Sequence, residues 1–350
     1  MKLKFENQAF QLQAIESTVN LFSGMHTITL SEQLSNQSEI LSYDIVANGL
    51  QLNNDLLLSN LQGIQLANSL GNYSTELCYG NYTEIPNFSI EMETGTGKTY
   101  VYLRTAFELN KRHGLTKFII VVPSDAIRAG VLKSLEITKE HFKSEYNNIS
   151  YDYYQYDSDK ISKVRDFATT NSIQIMVMTI SAFNKDINNI YAFKDKFGEY
   201  RPIDLVAAVK PVVIIDEPQS VDNTENAKEA IKKLNPLFIL RYSATHKNDY
   251  NQIYKLDAID AYNQKLVKQI EVASIEDADF IALDNKPYIK VIEINAKLEL
   301  SLELDVQDIK GKITRKILKK VTKGSDLQEK TNNEHYYGYV VEDYSRDYGV

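Results

Sequence analysis

The segment METGTGKT combines two glycines with a lysine and a threonine in an order that suits a phosphate ligand. Gly95 and Gly97 let the backbone turn tightly, so that its N–H groups can approach an anion. Lys98 is placed to reach the β- and γ-phosphates of a nucleotide, and the Thr99 hydroxyl to reach Mg²⁺. Met92 stands where the general pattern has its first glycine, but that glycine contacts no phosphate. The residues of this predicted nucleotide-binding loop are Thr94, Gly95, Thr96, Gly97, Lys98 and Thr99; the alternative is a glycine turn without a ligand.

Two adjacent acids, Asp216 and Glu217, end the apolar run PVVII and offer the other half of the same chemistry. We expect Asp216 to hold Mg²⁺ through its water shell and Glu217 to activate the water that attacks the γ-phosphate. Because side chains alternate along a strand, we expect the two carboxylates to do different jobs. Acids also end strands simply because the chain returns to solvent. On the phosphate-hydrolysis interpretation, Lys98, Asp216 and Glu217 are the catalytic candidates, and Thr99 and Asp216 are the metal-ligand candidates.

The elements that must position these residues alternate between short apolar runs and helical patterns. Continuous apolarity predicts strands that are covered on both faces. The predicted strands are Phe88–Met92, Lys117–Val122, Ile173–Ile180, Val212–Ile215 and Leu237–Leu240. The predicted helices cover residues 99–114, 124–142 and 223–234, with Gly114 as a C-terminal stop and Ser124 or Asp125 as a cap. This alternation predicts an α/β fold with a parallel sheet flanked by helices, in which ligands gather at the carboxyl ends of the strands.

The two flanks follow other patterns. Residues 30–84 are rich in Asn, Ser, Gln and Leu, and we interpret them as an insertion before the first sheet strand. Residues 287–306 alternate between apolar and polar, which predicts antiparallel strands with one solvated face. We therefore expect a domain over residues 1–265 and a β-rich extension over residues 266–350.

A basic run, KGKITRKILKKVTK, covers residues 310–323. Ile313, Ile317 and Val321 are spaced for one face of a helix. The run is interpreted either as an accessory DNA-binding patch or as a solvated amphipathic helix.

Composition excludes some classes of protein. With 350 residues, of which 43% are hydrophobic, the chain can bury a large core. Its net charge of −8 argues against a basic coat but allows a local nucleic-acid groove. The single cysteine, Cys78, excludes an internal disulfide framework and favours a reducing compartment. No apolar run is long enough for a signal peptide or a membrane span, so we expect a cytoplasmic protein.

The order of the motifs resembles that of superfamily 2 helicases and translocases. FQLQAIESTVNLF is similar to the upstream glutamine motif, METGTGKT to motif I, VVPSDAIRAGV to motif Ia, MTISAFNK to the motif before the acid pair, DEPQ to motif II and SAT to motif III. More narrowly, IEMETGTGKTYVYLRT, IIDEPQSVDN and YKLDAIDAYNQKLVKQIEV resemble the Res subunit of type III restriction-modification enzymes. The resemblance covers roughly residues 8–272 and implies a RecA-like P-loop NTPase domain.

The resemblance also implies ligands and partners. ATP and Mg²⁺ would be the cofactors, with Gln11 as the reader of the adenine edge. The residues implied to couple hydrolysis to movement are Gln219, Ser243 and Thr245. Double-stranded DNA would be held by its phosphates, and the candidate contacts are Ser124, Arg128 and Thr179. A DNA methyltransferase (Mod) subunit would read the DNA site.

Members of the family also carry a second RecA-like domain with an arginine finger, and a C-terminal nuclease domain. Neither is found in this sequence, and the nearest nuclease-like pattern is the weak triplet of Asp305, Asp308 and Lys310. We therefore expect the motor half of a Res subunit that hydrolyses ATP slowly, because an arginine finger contributes about 10³–10⁵ in rate. The alternatives are a motor fragment of another superfamily 2 ATPase and a nonhydrolysing nucleotide- or DNA-binding remnant.

Overall fold

The structure is a computed structural model. It describes residues 5–35, 44–71, 73–82, 84–157, 160–185, 188–193, 200–246, 248, 250–267, 287–295, 299–308, 310–342 and 344. The chain divides into two compact units, Met1–Ile270 and Glu271–Val350. In chain order, helices α1 to α11 span Ala9–Asn20, Leu30–Ser35, Asn54–Ala67, Lys98–His113, Asp125–Glu145, Ile161–Thr169, Pro202–Ala208, Pro218–Val221, Glu225–Lys233, Ala258–Asn263 and Leu327–Thr331. Strands β1 to β10 span Asn87–Met92, Lys117–Val122, Tyr151–Gln155, Ile173–Thr179, Val212–Asp216, Phe238–Ser243, Tyr254–Leu256, Ile289–Ile294, Leu300–Gln307 and Ile313–Val321.

The first unit is built on one parallel sheet. Its strand order is β3-β4-β2-β5-β6-β1-β7, and all neighbours run parallel. Every residue of β2, β4, β5 and β6 is buried, which explains why these strands are apolar without alternation. The predicted α/β fold with a helix-flanked parallel sheet is confirmed. Strands β3 and β7, at the two edges, were not predicted.

Helices cover both faces of this sheet. One apolar cluster contains Tyr102 and Phe107 of α4 together with Phe142 of α5. A second cluster contains Phe167 of α6 and Ile231 of α9. Since α4 begins directly after the glycine-rich loop, its packing on the sheet fixes the position of that loop.

The ends of the helices follow the predicted signals. Gly114 ends α4 with a φ of 75°, and a Cβ there would lie 2.5 Å from the carbonyl oxygen of Ile28. The Ser124 side chain accepts a hydrogen bond from the backbone N–H of Ile127 and so caps α5. Thr224 caps α9 in the same way. The three predicted helices are therefore confirmed, with ends that shift by a few residues.

The segment interpreted as an insertion packs against the sheet. Leu57 and Leu61 of α3 are buried in the first apolar cluster. The buried Asn48 amide donates to the carbonyl oxygen of Lys117 at 2.9 Å and accepts from the backbone N–H of Thr116 at 2.8 Å. These bonds tie the segment to the start of β2.

The second unit is an antiparallel sheet of β10, β9 and β8. Leu300, Leu302 and Leu304 lie on its buried face with Leu327 and Tyr336. The predicted β-rich extension is confirmed.

The helical interpretation of the basic run was wrong, because Ile313–Val321 forms strand β10. Ile313 and Ile317 are 47% and 48% exposed on that strand. A spacing of four residues fits one face of a strand as well as one face of a helix. A register shift between Leu318 and Val321 then turns Val321 inward.

In the weak nuclease-like triplet, Asp305 lies in β9, and Asp308 and Lys310 lie in the turn between β9 and β10. Asp305 is paired with Arg315, with Nε and Oδ1 at 2.9 Å. Asp308 accepts hydrogen bonds from the backbone N–H groups of Lys310 and Lys312. Both carboxylates therefore have local structural partners, which favours a turn over a nuclease site.

Within the described ranges, no helix combines the length and apolarity that crossing a membrane requires.

Candidate nucleotide-binding site

The glycine-rich loop joins β1 to α4 at the carboxyl edge of the sheet. Gly95 and Gly97 have φ values of 83° and 88°, in the left-handed region that favours glycine. Apart from Gly95 itself and its two chain neighbours, no described atom lies within 4 Å of the position of a Cβ on Gly95, so the loop is open on that side. A Cβ on Gly97 would lie 2.6 Å from Nε2 of Gln11. The loop thus has room for a ligand at Gly95 and close packing at Gly97.

Hydrogen bonds within the loop hold its shape. The backbone N–H and the hydroxyl of Thr96 both donate to the carbonyl oxygen of Glu93, at 3.2 and 2.6 Å. The Thr94 N–H donates to Oε1 of Glu93 at 2.6 Å. Met92, at the position of the missing first glycine, is buried at the end of β1 and accepts from Nζ of Lys98 at 3.2 Å. Methionine is therefore accommodated there without disturbing the turn.

The glutamine proposed to read adenine lies against this loop. Gln11 is on α1, and its Nε2 donates to the carbonyl oxygen of Thr96 at 2.9 Å. A bidentate contact between Arg112 of α4 and Glu16 of α1 fastens the two helices together. Gln11 is thus held beside the predicted phosphate loop although it lies 85 residues before Thr96.

The acid pair follows β5. Glu217 has φ 55° and ψ 64°, an uncommon conformation for a residue with a side chain. Its Oε1 lies 3.2 Å from Nζ of Lys98. Asp216 accepts a hydrogen bond at Oδ2 from the Tyr102 hydroxyl at 3.2 Å. With the left-handed turn at Glu217, both carboxylates contact α4, Glu217 at Lys98 and Asp216 at Tyr102.

Burial and charge set the ionisation of Asp216. Its pKa is raised to about 6, first because the carboxyl is buried and second because the charge of Glu217 is close. The hydroxyl of Tyr102 is itself buried, and its pKa lies well above the usual value. Tyr102 therefore stays protonated at neutral pH and remains a donor to Asp216.

Glu217 has the opposite balance. Burial alone would raise its pKa, but hydrogen bonds and the charge of Lys98 outweigh burial, and the net pKa is lowered. Nε2 of Gln219 donates to Oε2 of Glu217 at 2.7 Å, and the Ser243 hydroxyl lies 3.0 Å from the same oxygen. Glu217 is therefore ionised at neutral pH and able to accept a proton.

The predicted coupling residues form one hydrogen-bonded group. The Ser243 hydroxyl is 3.0 Å from Oε1 of Gln219, and it accepts from the backbone N–H of Thr245 at 3.1 Å. Ser243 ends β6, which lies between β5 and β1 in the sheet. A movement of the end of β6 would therefore change the hydrogen bond between Ser243 and Glu217.

The candidate DNA contacts lie farther along the same edge. Thr179 ends β4 and pairs in register with Val122 at the end of β2, two residues before Ser124. The Thr179 hydroxyl is 3.1 Å from that of Ser181. Nη1 of Arg128 lies 3.1 Å from Oδ1 of Asp125. These residues are near each other, but none has a contact with Lys98, Asp216 or Glu217 among those described.

The donor set fits a magnesium-bound triphosphate. Thr99 and Asp216 offer hard oxygen ligands, and α4 begins with free N–H groups at its positive end. Within the described part of the chain, no group of three or more His, Cys, Asp or Glu residues could hold a metal by itself. Mg²⁺ usually takes one or two carboxylates and completes its shell with phosphate and water, so the Thr99 hydroxyl and the Asp216 carboxylate suit it. Tyr102 was not found by sequence reasoning, because in TYVYLRT it reads as one more core residue.

Comparison with known proteins identifies the family. The family model described as "Type III restriction enzyme, res subunit" matches residues 4–248. The EcoP15I Res subunit of Escherichia coli is 33% identical over 241 residues, which cover 63% of this chain and 24% of that protein. The EcoPI Res subunit of Escherichia phage P1 is 31% identical over 288 residues, which cover 76% of this chain and 28% of that protein. The matched part thus spans about a quarter of the length of these relatives.

Solved structures give weaker similarity. The Sulfolobus solfataricus SWI2/SNF2 ATPase core in complex with dsDNA is 18% identical, with a TM-score of 0.31, over 60% of this chain and 34% of that one. A nuclease-deletion mutant of the type ISP restriction-modification enzyme LlaGI is 12% identical, with a TM-score of 0.36, over 60% of this chain and 18% of that one. The assignment therefore rests on the family match and on the order of strands and motifs. The chain belongs to the type III restriction enzyme Res subunit family, and its first unit is a parallel sheet of seven strands flanked by helices.

Proposed function

We propose that this chain is an ATP-hydrolysing motor of a type III restriction enzyme, acting on double-stranded DNA with Mg²⁺ as cofactor. The observation that carries the proposal is the 3.2 Å contact between Nζ of Lys98, in the glycine-rich loop, and Oε1 of Glu217, after β5. The two residues are 119 positions apart (217 − 98) and belong to the two motifs that triphosphate hydrolysis requires. Their proximity supports a shared ligand.

Binding of the triphosphate is assigned to the loop and the start of α4. The N–H groups around Gly95 and Gly97 bind phosphate oxygens, and Lys98 moves from Glu217 to the phosphates. Thr99 and Asp216 hold Mg²⁺, which when bound neutralises charge on the phosphates. Gln11 and the other loop residues, Thr94 and Thr96, complete the nucleotide site.

Water activation is assigned to Glu217. Its lowered pKa leaves it ionised at neutral pH, so it can accept the proton of the attacking water. Gln219 and Ser243 orient this carboxylate through its Oε2 atom. Because Ser243 ends β6 and Thr245 follows it, they are the route by which hydrolysis is coupled to movement.

DNA contacts are assigned to the ends of β2 and β4. Ser124 and Thr179 offer hydroxyl groups and Arg128 offers a charge, which suit phosphate contacts that are independent of sequence. Family membership supports a DNA methyltransferase (Mod) subunit as the partner that reads the site.

Nucleotide binding tests the proposal. The purified chain is titrated with a fluorescent ATP analogue and Mg²⁺, with Lys98→Ala as the test variant and Lys111→Ala, on the same helix, as the control. We expect Lys98→Ala to weaken binding at least about tenfold, since it removes a charged partner of the phosphates. Equal affinity in the wild type and Lys98→Ala, or no binding by the wild type, refutes the assignment.

Phosphate release with and without DNA tests the rate. We expect slow hydrolysis from these 350 residues, because no arginine finger is identified in the sequence. Brisk DNA-stimulated turnover would overturn that expectation while leaving the nucleotide site intact.

A further inference from the structure

Tyr102 lies next to the two candidate metal ligands, Thr99 and Asp216. It is on α4, three residues after Thr99, so both side chains are on one face of that helix. The Tyr102 hydroxyl donates to Oδ2 of Asp216 at 3.2 Å. Burial raises the pKa of this hydroxyl most strongly, and the neighbouring Thr99 side chain acts on the pKa in the opposite direction. One phenol group therefore donates to the carboxylate ligand on β5 and lies beside the hydroxyl ligand on α4.

This link leaves the other carboxylate oxygen available. Oδ1 of Asp216 accepts no hydrogen bond from any residue in the described ranges. Asp216 is 6% exposed, whereas Tyr102 is fully buried, so the phenol approaches the carboxylate from inside the protein. A carboxylate held at Oδ2 keeps Oδ1 as the oxygen that can bind a ligand.

We propose that Tyr102 is a positioning residue for the magnesium ion, whose hydroxyl fixes Thr99 and Asp216 relative to each other. The proposal rests on the proposed function, since it concerns the metal that accompanies the nucleotide. Groups that hydrogen-bond to metal ligands hold them in orientation, and their loss typically costs about 10–100-fold in metal affinity. A phenylalanine would fill the same space in the core but could not make the link.

A neighbouring tyrosine provides a matched control. Tyr242 is also fully buried, and its ring lies edge-on to that of Tyr102 with centroids 5.5 Å apart. Its hydroxyl is 3.4 Å from Oγ1 of Thr105 and contacts neither candidate metal ligand. Tyr242→Phe therefore removes a buried hydroxyl from the same core without touching the link.

The experiment measures metal dependence in the full 350-residue chain. Mg²⁺ is titrated into the protein at a fixed concentration of fluorescent ADP, and the affinity for fluorescent ADP is measured separately in EDTA. Both measurements are made on the wild type, Tyr102→Phe and Tyr242→Phe. Mn²⁺ binding in the presence of ADP is followed by electron paramagnetic resonance. We expect Tyr102→Phe to raise the Mg²⁺ and Mn²⁺ concentrations at half-saturation about tenfold, with ADP affinity in EDTA unchanged. Tyr242→Phe should match the wild type in all three readouts.

The outcomes of this experiment separate the positioning role of Tyr102 from the proposed function. Equal metal dependence in Tyr102→Phe and the wild type, or an equal shift in Tyr242→Phe, overturns the positioning role and leaves the proposed function standing. Absence of nucleotide binding by the wild type overturns both. Circular dichroism checks that Tyr102→Phe is folded. If that variant is unfolded, the experiment uses the otherwise unchanged chain with 3-fluorotyrosine at position 102 and records its fluorine nuclear magnetic resonance. A fluorine resonance that does not respond to Mg²⁺ with ADP overturns the proposal.

Discussion

A buried ion pair fastens the end of β6 to the segment after the acid pair, and its removal should destabilise the first unit strongly. Nη2 of Arg241 lies 2.7 Å from Oδ2 of Asp222, and the two side chains are only 2% and 9% exposed. The Tyr82 hydroxyl donates to the same oxygen at 2.6 Å, and Nε of Arg241 donates to Oδ1 of Asn87 at 3.0 Å. We predict a large effect for Arg241→Met, because it leaves a buried carboxylate without its cation.

The size of the effect follows from burial. Removing one partner of a buried pair costs about 3–5 kcal/mol, because the remaining charge is uncompensated. Tyr82 still donates to Asp222 in the variant, and its raised pKa keeps it protonated, which places the expected loss near the lower end of that range, at about 3 kcal/mol. Arg241→Met with Asp222→Leu removes both charges, so we expect the double variant to lose at least about 2 kcal/mol less than the sum of the single losses.

Urea unfolding followed by circular dichroism at 222 nm measures these losses. The described helices of the second unit amount to α11 and one short 3₁₀ turn, Glu334–Tyr336, so the helical signal reports mainly on the first unit. The control is the exposed pair of Lys133 and Glu136, whose side chains are both 63% exposed. Removal of that pair should cost less than about 1 kcal/mol.

Two results would refute this reasoning. One is a loss below about 1 kcal/mol for Arg241→Met, which would mean that the pair is solvated or easily replaced. The other is additivity of Arg241→Met and Asp222→Leu, which would mean that the two groups do not stabilise each other.

Three further predictions concern the site and its support. Glu217→Gln should lower hydrolysis about 10²–10⁴-fold while nucleotide binding persists, and an unchanged rate of phosphate release would remove Glu217 as the base. Gly97→Ala should destabilise the chain by about 1–2 kcal/mol and weaken ADP binding, because φ is 88° and the new Cβ meets Gln11. An additional Gln11→Ala should relieve the clash but not the backbone strain. Urea unfolding measures the stability and ADP titration measures the binding. Burial lowers the pKa of Lys117 to about 7, so the unfolded chain binds more protons between pH 7 and 10.5 and stability should rise with pH by up to about 1.4 kcal/mol per unit. Lys117→Met should flatten that rise between pH 7.5 and 9.5 in urea unfolding, and an identical slope in the two proteins would contradict the assignment.

The centre of the sheet was predictable because burial on both faces leaves a direct mark on composition. Residues Val212–Ile215 and Lys117–Val122 are nearly uniform apolar runs and became β5 and β2. Strand β3, by contrast, is the edge sequence YDYYQ with half-exposed polar residues, and β7 has only three residues. Edge strands are buried on fewer sides, so their sequences resemble loops. Strand β10 was interpreted as a helix because the four-residue spacing of its apolar side chains suits both the helical period and the strand period.

The site was predictable at the level of motifs but not of contacts. Gly97, Lys98 and the acid pair are recognisable because their chemistry needs those residues in that order. The direction of Glu217 depends on a left-handed turn, which the sequence DEPQ does not reveal. Tyr102 acquires its partner, 114 residues away, only through the packing of α4 on the sheet, and such long-range placement leaves no local signature.

The pairing of Lys98 with Glu217 has a consequence for how affinities are read. In the structure the two charges neutralise each other, and on the proposed function an arriving polyphosphate competes with the Glu217 carboxylate for the ammonium group of Lys98. The free energy of nucleotide binding to the unmodified chain is then the difference between the free energy of pairing Lys98 with phosphate and that of pairing Lys98 with Glu217. A relative with a looser resting pair would bind nucleotide more tightly even if its glycine-rich loop were identical.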